Sequence, residues 1–446
     1  MSAAAAIAAY HERIAADPAA ALGEARALEE GFLREKLSFD GAPMRTFLRP
    51  HLIGRGDWEE LRGTSRRVLE LLARVARRAF GGDIRRLCGF LGTPEAEVRW
   101  VALDPGEPDV VWSRLDAFVT PRGPRFIEVN SDAPAGFGYA DGMARLFAEL
   151  PVFQEVARRF KVSYAASTPG LVEAVAAEYH ARGGRDAPRV AIVDFASVKT
   201  RADQELIREA FLERDISCAL ADQRECELRA GRFQAGAFEA NVIYRRAVLS
   251  ELVACEPEVK GFFDAYVAGA ALFVNSFRCR LSEDKAFFAL VTDESFAELL
   301  TDDERALVAR CVPWTRKLEE RRTASRGRSL ELVPFVLAER ERLVLKPTHA
   351  YGGKSVLIGS ETPAGLWQEA VRRGLGGPFV VQEREPIPEE AFPSFESGSL
   401  EFVQLKLNAN PFYVRGAEVG AVARASRASV INVSAGGGSV PTFVVG

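Results

Sequence analysis

The stretch RLDAFVTPRGPRFIEVNSDAPAG, Arg114 to Gly136, decides how this chain is read. Two apolar-rich segments flank Pro121, Arg122 and Gly123, and the glycine supplies the positive φ that short hairpin loops require. Folding the segment about Arg122 sets Asp116 opposite Glu128 and Arg114 opposite Asn130, and strand alternation sends all four to one face. Facing carboxylates repel unless something compensates, and a divalent cation would do so. Two carboxylates and an amide oxygen are an all-oxygen donor set. It suits Mg2+ that stays partly hydrated and is shared with phosphates. Arg114 adds a fork of donors for a phosphoryl group or an oxyanion. The same four residues also fit a solvated hairpin whose polar face serves solubility.

A second informative stretch, RLVLKPTHAYGGKSVLIG, runs from Arg342 to Gly359. An apolar strand ends in Lys346-Pro347, and VLIG resumes as a second strand after Gly352, Gly353 and Lys354. Adjacent glycines let a backbone approach a phosphate and aim N–H groups at it, and the two lysines add positive charge. A plain hairpin with a Gly-Gly turn is the alternative, but it leaves Lys346 as a cation within an apolar segment. Downstream, PFVVQE ends in Gln382 and Glu383, a strand end that would present polar groups to a flat base. No Walker loop occurs. GFGYADG, Gly136 to Gly142, resembles a dinucleotide fingerprint only superficially, since it lacks the strand-turn-helix context.

Composition narrows the field. The 446 residues are 48% hydrophobic and 27% charged with a net charge of −4, which suits a soluble protein of two or three packed units. The acidic balance and the lack of a basic tract argue against nucleic acid as a partner. Six scattered cysteines without a Cys-x-x-Cys pair, and four dispersed histidines, indicate neither a zinc site nor a disulfide framework. No apolar run approaches the roughly twenty residues that span a bilayer. The alanine-rich start is interrupted by His11, Glu12, Arg13 and Asp17, unlike a secretion signal. A cytoplasmic setting without membrane attachment is expected.

Along the chain, residues 1 to about 95 read mostly as helix. TSRRVLELLARVARRAF is amphipathic, with Thr64 or Ser65 as a possible cap, and Asp17-Pro18 marks a break. PRVAIVDF, RADQELIREAFLERD, ISCALAD and NVIYRR alternate strand and helix, the pattern of a small parallel α/β unit at about 160–278. Arg245 and Arg246, which end NVIYRR, would meet a substrate carboxylate or lie as a surface pair. SEDKAFFALVTDESFAELLTDDERALVARC is helical, strands return with RLVLKP, PFVVQE, EFVQLKL and GAVARAS, and PIPEEAFPSFESGS reads as a surface loop.

Taken together, LKPTHAYGGKS, VVQERE, SRLD and FIEVNSDAPAG resemble the motifs of the ATP-grasp ligase family. The order differs: Arg-x-Asp and Glu-x-Asn, which come last in the usual layout, come first here. The tail ARASRASVINVSAGGGSVPTFVVG is similar to the segment that normally leads into them. Circular permutation is tolerated where termini meet at a surface. More narrowly, IVDF, VIYRR, SEDKAFFALVTD, VPWT and INVSAGGG resemble circularly permuted ATP-grasp proteins related to the synthetase domain of glutathionylspermidine synthase.

The resemblance implies an α/β (α+β) protein, a circularly permuted ATP-grasp fold with an inserted small parallel α/β domain. Three parts are expected. Residues 1–159 would hold N-terminal helices and the metal-binding part, 160–278 the small substrate domain, and 279–446 the nucleotide-binding part with its glycine-rich lid. The implied activity is ATP-dependent ligation of a carboxylate to an amine through an acyl phosphate. The substrates would be small molecules or peptides, with ATP and Mg2+ as cofactors. Asp116, Glu128 and Asn130 would bind magnesium. Arg114 would steady the transferring phosphoryl group or the tetrahedral intermediate. Lys346 and Lys285 would hold phosphates, Gly352, Gly353 and Lys354 the lid, and Gln382 and Glu383 the adenine hinge. Arg424 and Asn432 match the tail pattern. An ATP-binding protein without catalysis and a small-molecule phosphotransferase are the alternatives.

Overall fold

The carboxylate hairpin forms from strands Trp112–Thr120 and Gly123–Asn130. Its turn is tighter than expected. Thr120 already pairs with Gly123, so only Pro121 and Arg122 lie in the turn, and Gly123 takes φ +98°. A two-residue turn alone would set Asp116 opposite Ile127 and send Glu128 to the other face. A β-bulge between Asp116 and Ala117 absorbs one residue and restores the pairs Asp116↔Glu128 and Arg114↔Asn130. Because a one-residue slip exchanges the two faces of a strand, this bulge is what gathers the four polar groups.

The computed structural model describes residues 2–103, 110–349, 355–432 and 437–446. It is a mixed α/β protein with several sheets. The hairpin is one edge of an eight-stranded sheet, in which Trp112–Thr120 lies antiparallel to the long strand Glu401–Val414. That strand pairs in turn with Ala421–Ser426, which pairs with Gly438–Val445, and the latter runs parallel to His51–Gly54. The sheet is thus built from both ends of the chain. Facing it is a four-stranded antiparallel sheet in the order Thr315–Lys317, Phe379–Glu383, Leu343–Pro347, Leu357–Ile358. Leu343, Leu345 and Val381 pack with Trp367, Val371 and Leu332 in a small core of their own.

The alternating segment forms a four-stranded parallel sheet, ordered Leu272–Val274, Val242–Arg245, Arg189–Val193, Ser217–Ala221. An antiparallel meander, Cys226–Arg229, Arg232–Ala235 and Phe238–Ala240, was not foreseen. Its first turn places Ala230 and Gly231 at φ +49° and +76°, the two positive angles of a hairpin turn.

Four readings are corrected. Thr64 and Ser65 do not cap a helix. The helix spans Arg55–Phe80, both residues are buried inside it, and Ser65 donates to the Leu61 carbonyl at 2.6 Å. PIPEEAFPSFESGS is not simply a loop, because Glu389–Ser394 pairs with Glu401–Lys406. It pairs on one side only, and an edge strand accommodates Pro393. Arg245 and Arg246 are buried at 0% and 4% exposure, so they are not a surface pair. Nor does either line the cleft described below. The Arg245 guanidinium donates to Asp132 and to the carbonyls of Ala247, Asn275 and Ser276. Arg246 donates to those of Ala133 and Pro134. Both arginines dock the parallel sheet onto the turn that follows Asn130. Asn275 reinforces that joint, donating to the carbonyls of Trp112 (2.7 Å) and Ser131 (2.8 Å).

GFGYADG opens the helix Phe137–Glu149, whose N-terminus meets a carboxylate of the protein itself. Asp203 accepts from the N–H groups of Gly136 and Tyr139 at 3.0 and 3.1 Å. The position a pyrophosphate would take is filled.

Candidate functional site

The two sheets border a cleft of about 190 Å³. Its lining draws together Arg114, Asp116, Glu128 and Asn130 from the hairpin, Lys285, Lys346, Gln382 and Glu383 from the middle of the chain, and Arg424 and Asn432 from the tail. Gly352, Gly353 and Lys354, the expected lid, lie outside the described residues.

Asp116 is the hub of the polar lining. Arg114 Nε and Asn130 Nδ2 donate to its Oδ1 at 3.1 and 3.2 Å, and Arg424 Nη1 donates to its Oδ2 at 3.2 Å. Burial pushes this carboxyl up, yet Arg114 and Arg424 together outweigh burial and hold it below its usual range. Lys285 pairs with Glu128 at 3.0 Å. Burial works against the Lys285 ammonium, but Glu128, with Glu283 and Asp284, raises its pKa above the ordinary value.

Lys346 stands in a different balance. Its Nζ donates to Gln382 Oε1 at 2.7 Å and approaches the Ile127 carbonyl at 3.4 Å. Burial lowers its pKa to about 8; Glu128 and Asp116 oppose that shift and Lys285 adds to it. Arg424 is likewise lowered to about 10 by burial and by Arg114. Four cations, Arg114, Lys285, Lys346 and Arg424, therefore outnumber Asp116 and Glu128 in the polar lining, while Glu283 and Asp284 add negative charge behind Lys285. Such a surplus is costly alone and favourable around a polyanion.

Gln382 does not have its side chain free for a base. Lys346 is only a donor, so the amide oxygen faces it, and the amide nitrogen then donates to Thr315 Oγ1 at 3.0 Å. The register explains the contact: Val344 pairs with Gln382 and Lys346 with Val380, which makes Lys346 and Gln382 diagonal neighbours on one face. Glu383 is held from outside by Arg326 at 2.6 Å and by Arg342 at 3.5 Å. Apolar side chains, Phe118, Val344, Val356, Ile358, Ile387 and Val430, line much of the rest of the cleft.

The donor set fits a hard cation, with carboxylates and an amide turned to one cavity. Among the described residues no group of three or more His, Cys, Asp or Glu side chains could hold a metal. An ion here would therefore need further oxygens from a ligand, as magnesium shared with phosphates does.

Sequence reasoning missed Asn408, Ser429 and Glu385, which also line the cleft. Asn408 had a legible signal: Lys406, Asn408 and Asn410 alternate with Leu405, Leu407 and Ala409, a polar face at strand period. Ser429 and Glu385 lie outside regular strands and had none.

No protein-family model matches the chain, and no curated protein matches it. Among solved structures it is similar to a glutathione synthetase like-effector from Globodera pallida in its apo form, with a TM-score of 0.63 at 11% identity over 95% of this chain and 97% of the other. A candidate gamma-glutamylcysteine synthetase from Methylobacillus flagellatus KT aligns over 86% of each chain at 11% identity, with a TM-score of 0.43. The first likeness shows a shared fold of the glutathione synthetase-like kind.

Proposed function

We propose that the protein is an ATP-dependent carboxylate–amine ligase of ATP-grasp architecture in circularly permuted order. The observation that carries this reading is the surplus of four cations, two of them buried lysines, over Asp116 and Glu128 in a cleft whose lining divides between charged and apolar side chains. A triphosphate joined to a flat base matches that division. The first solved structure above, described as glutathione synthetase-like, supports the same class of chemistry. The three-part division at 1–159, 160–278 and 279–446 belongs to this reading.

The substrate carboxylate attacks the γ-phosphorus and displaces ADP, giving an acyl phosphate. The amine nitrogen then attacks the acyl carbon, inorganic phosphate leaves, and the nitrogen gives up a proton to form the amide. No enzyme nucleophile is required, so the residues position groups and balance charge. Lys346 and Lys285 hold phosphate oxygens, and Gln382 fixes the direction of the Lys346 ammonium. Arg114 and Arg424 face the oxygens that gain charge at phosphorus and at the acyl carbon. Asn432 lines the same cleft. Asp116, Glu128 and Asn130 would hold magnesium, which neutralises phosphate charge when bound. Backbone groups near Glu383 take the base, in place of the Gln382 amide. The resemblance gives Gly352, Gly353 and Lys354 the role of keeping water from the acyl phosphate.

The acid and amine are small molecules or peptides; glutathione and a polyamine are the analogy that the resemblance offers. All six cysteines are free, and among the described residues no helix is long and apolar enough to cross a membrane. A reducing, ATP-rich cytoplasm is the proposed setting. The test is a screen of amino acids, peptides and amines for stimulated ADP release, repeated with Glu128→Gln and Lys346→Ala. Both variants are expected to fold and to lose the stimulated release. Full turnover by either one, or a phosphorylated final product in place of an amide, sinks the reading.

A further inference from the structure

Arg125 lies on the hairpin strand that also carries Glu128 and Asn130, yet its guanidinium reaches two other elements. Nη1 donates to the Ala309 carbonyl at 3.0 Å, in helix Asp302–Cys311, and Nη2 donates to the Glu385 carboxylate. Arg125 and Glu385 are 8% and 6% exposed, so the ion pair is buried. Glu385 stands just past strand Phe379–Glu383 and lines the cleft. The pair therefore ties the hairpin that bears the acidic oxygens to the segment that supplies Glu383 and the apolar Ile387 to the cleft.

A pair this deep is a poor source of net stability. Desolvating both charges cancels much of their attraction, and an apolar pair of similar volume serves as well or better. What the ion pair adds is a directional link that holds two elements in one relative position. The other acid of this segment, Glu383, is held by Arg326 and Arg342, neither of which belongs to the hairpin. Arg125 alone among these three arginines spans the cleft's two walls.

We propose that Arg125 is a positioning residue: through Glu385 it sets the spacing between the polar and apolar parts of the cleft lining, so that one nucleotide engages both at once. The inference rests on the nucleotide reading above. Two subsites joined by one ligand reinforce each other only when their separation matches the ligand. With Arg125 gone, each part keeps its own groups, and the gain from linking them falls.

Calorimetric titration of the full chain with Mg-ATP and with magnesium tripolyphosphate tests this. Wild type is compared with Arg125→Met and with the charge-balanced double variant Arg125→Met/Glu385→Leu. The double variant carries the test if the single one, which strands a buried carboxylate, does not fold. Mg-ATP affinity is expected to fall by about tenfold, while tripolyphosphate, which touches only the polar part, stays within about twofold of wild type. Unchanged Mg-ATP affinity in the double variant overturns the proposal. So does an equal loss for tripolyphosphate, which marks Arg125 as a general structural tie. Failure of the wild type to bind Mg-ATP removes the nucleotide reading itself, and this inference with it.

Discussion

Two clusters of buried arginine and carboxylate lie at either side of Asn130 and Ser131, and they are built on opposite terms. Around Asp132 the charges close: one carboxylate meets the Arg245 guanidinium, and carbonyls of Ala247, Asn275 and Ser276 take three more of its donors. Both side chains are fully buried, and neither lines the cleft. Around Asp116 the charges do not close. Arg114, Arg424, Lys285 and Lys346 exceed Asp116 and Glu128, and all six line the cleft. Burial works against both arginine clusters, but Asp132 outweighs it at Arg245, whereas at Arg424 burial prevails. A buried pair closed on itself is a joint; a surplus of one charge facing a cavity is a place for a ligand.

The comparison can be broken at its joint first. Arg245→Met strands the Asp132 carboxylate and is expected to cost about 3–5 kcal/mol of unfolding free energy, measured in urea. The double variant Arg245→Met/Asp132→Leu should recover most of that loss. A single-variant cost under about 1 kcal/mol, the range of exposed pairs, would make the joint no different from a surface contact.

Lys346→Met attacks the other side. Removing one cation of a surplus should leave unfolding free energy unchanged or raised, while substrate-stimulated ADP release falls by about 10²–10³-fold. A loss of stability as large as that at Arg245 would erase the distinction. Gln382→Leu frees the Lys346 ammonium without removing it. The expected result is a rise of about tenfold in the KM for ATP, the scale of losing a group that orients a ligand-binding side chain.

The smallest effect is a proton. In the ligand-free protein Lys346 titrates at about 8, below the ordinary lysine value of 10.5. Between those two values the unfolded chain binds a proton that the folded chain does not, so stability from this group rises with pH across that window. It is lowest below about 8. A bound polyanion favours the charged amine, so Mg-ATP binding near pH 8 should take up a fraction of a proton. Titrations in buffers of different ionisation enthalpy measure it, and Lys346→Met should abolish it. Proton release instead of uptake would mean that Lys346 is not beside the phosphates.

Much of the strand content was legible because it rests on alternation and on loop residues that any chain displays locally. The hairpin, the apolar strand ending at Lys346-Pro347 and the parallel sheet all have that local character. The hairpin register was reached by a compensation: a three-residue loop was expected, and a two-residue turn plus a bulge gives the same pairing. Arg245 and Arg246 were misread because a pair of arginines at a strand end looks alike whether water or a carbonyl-rich turn lies beyond it. Gln382 was misread for a related reason, since diagonal contact with Lys346 depends on the pairing of two strands distant in sequence.

From residue order alone came the types of chemistry available: paired carboxylates on one strand face, a lysine inside an apolar run, and an acidic chain without a basic tract. Which of these groups share a cavity, which arginines are joints and which are surplus were settled only when the eight-stranded sheet joined the tail to the hairpin. The reason is electrostatic. A charge has a fixed sign in the sequence, but its cost and its use depend on what else is buried within a few ångströms, and those neighbours come from every part of the chain.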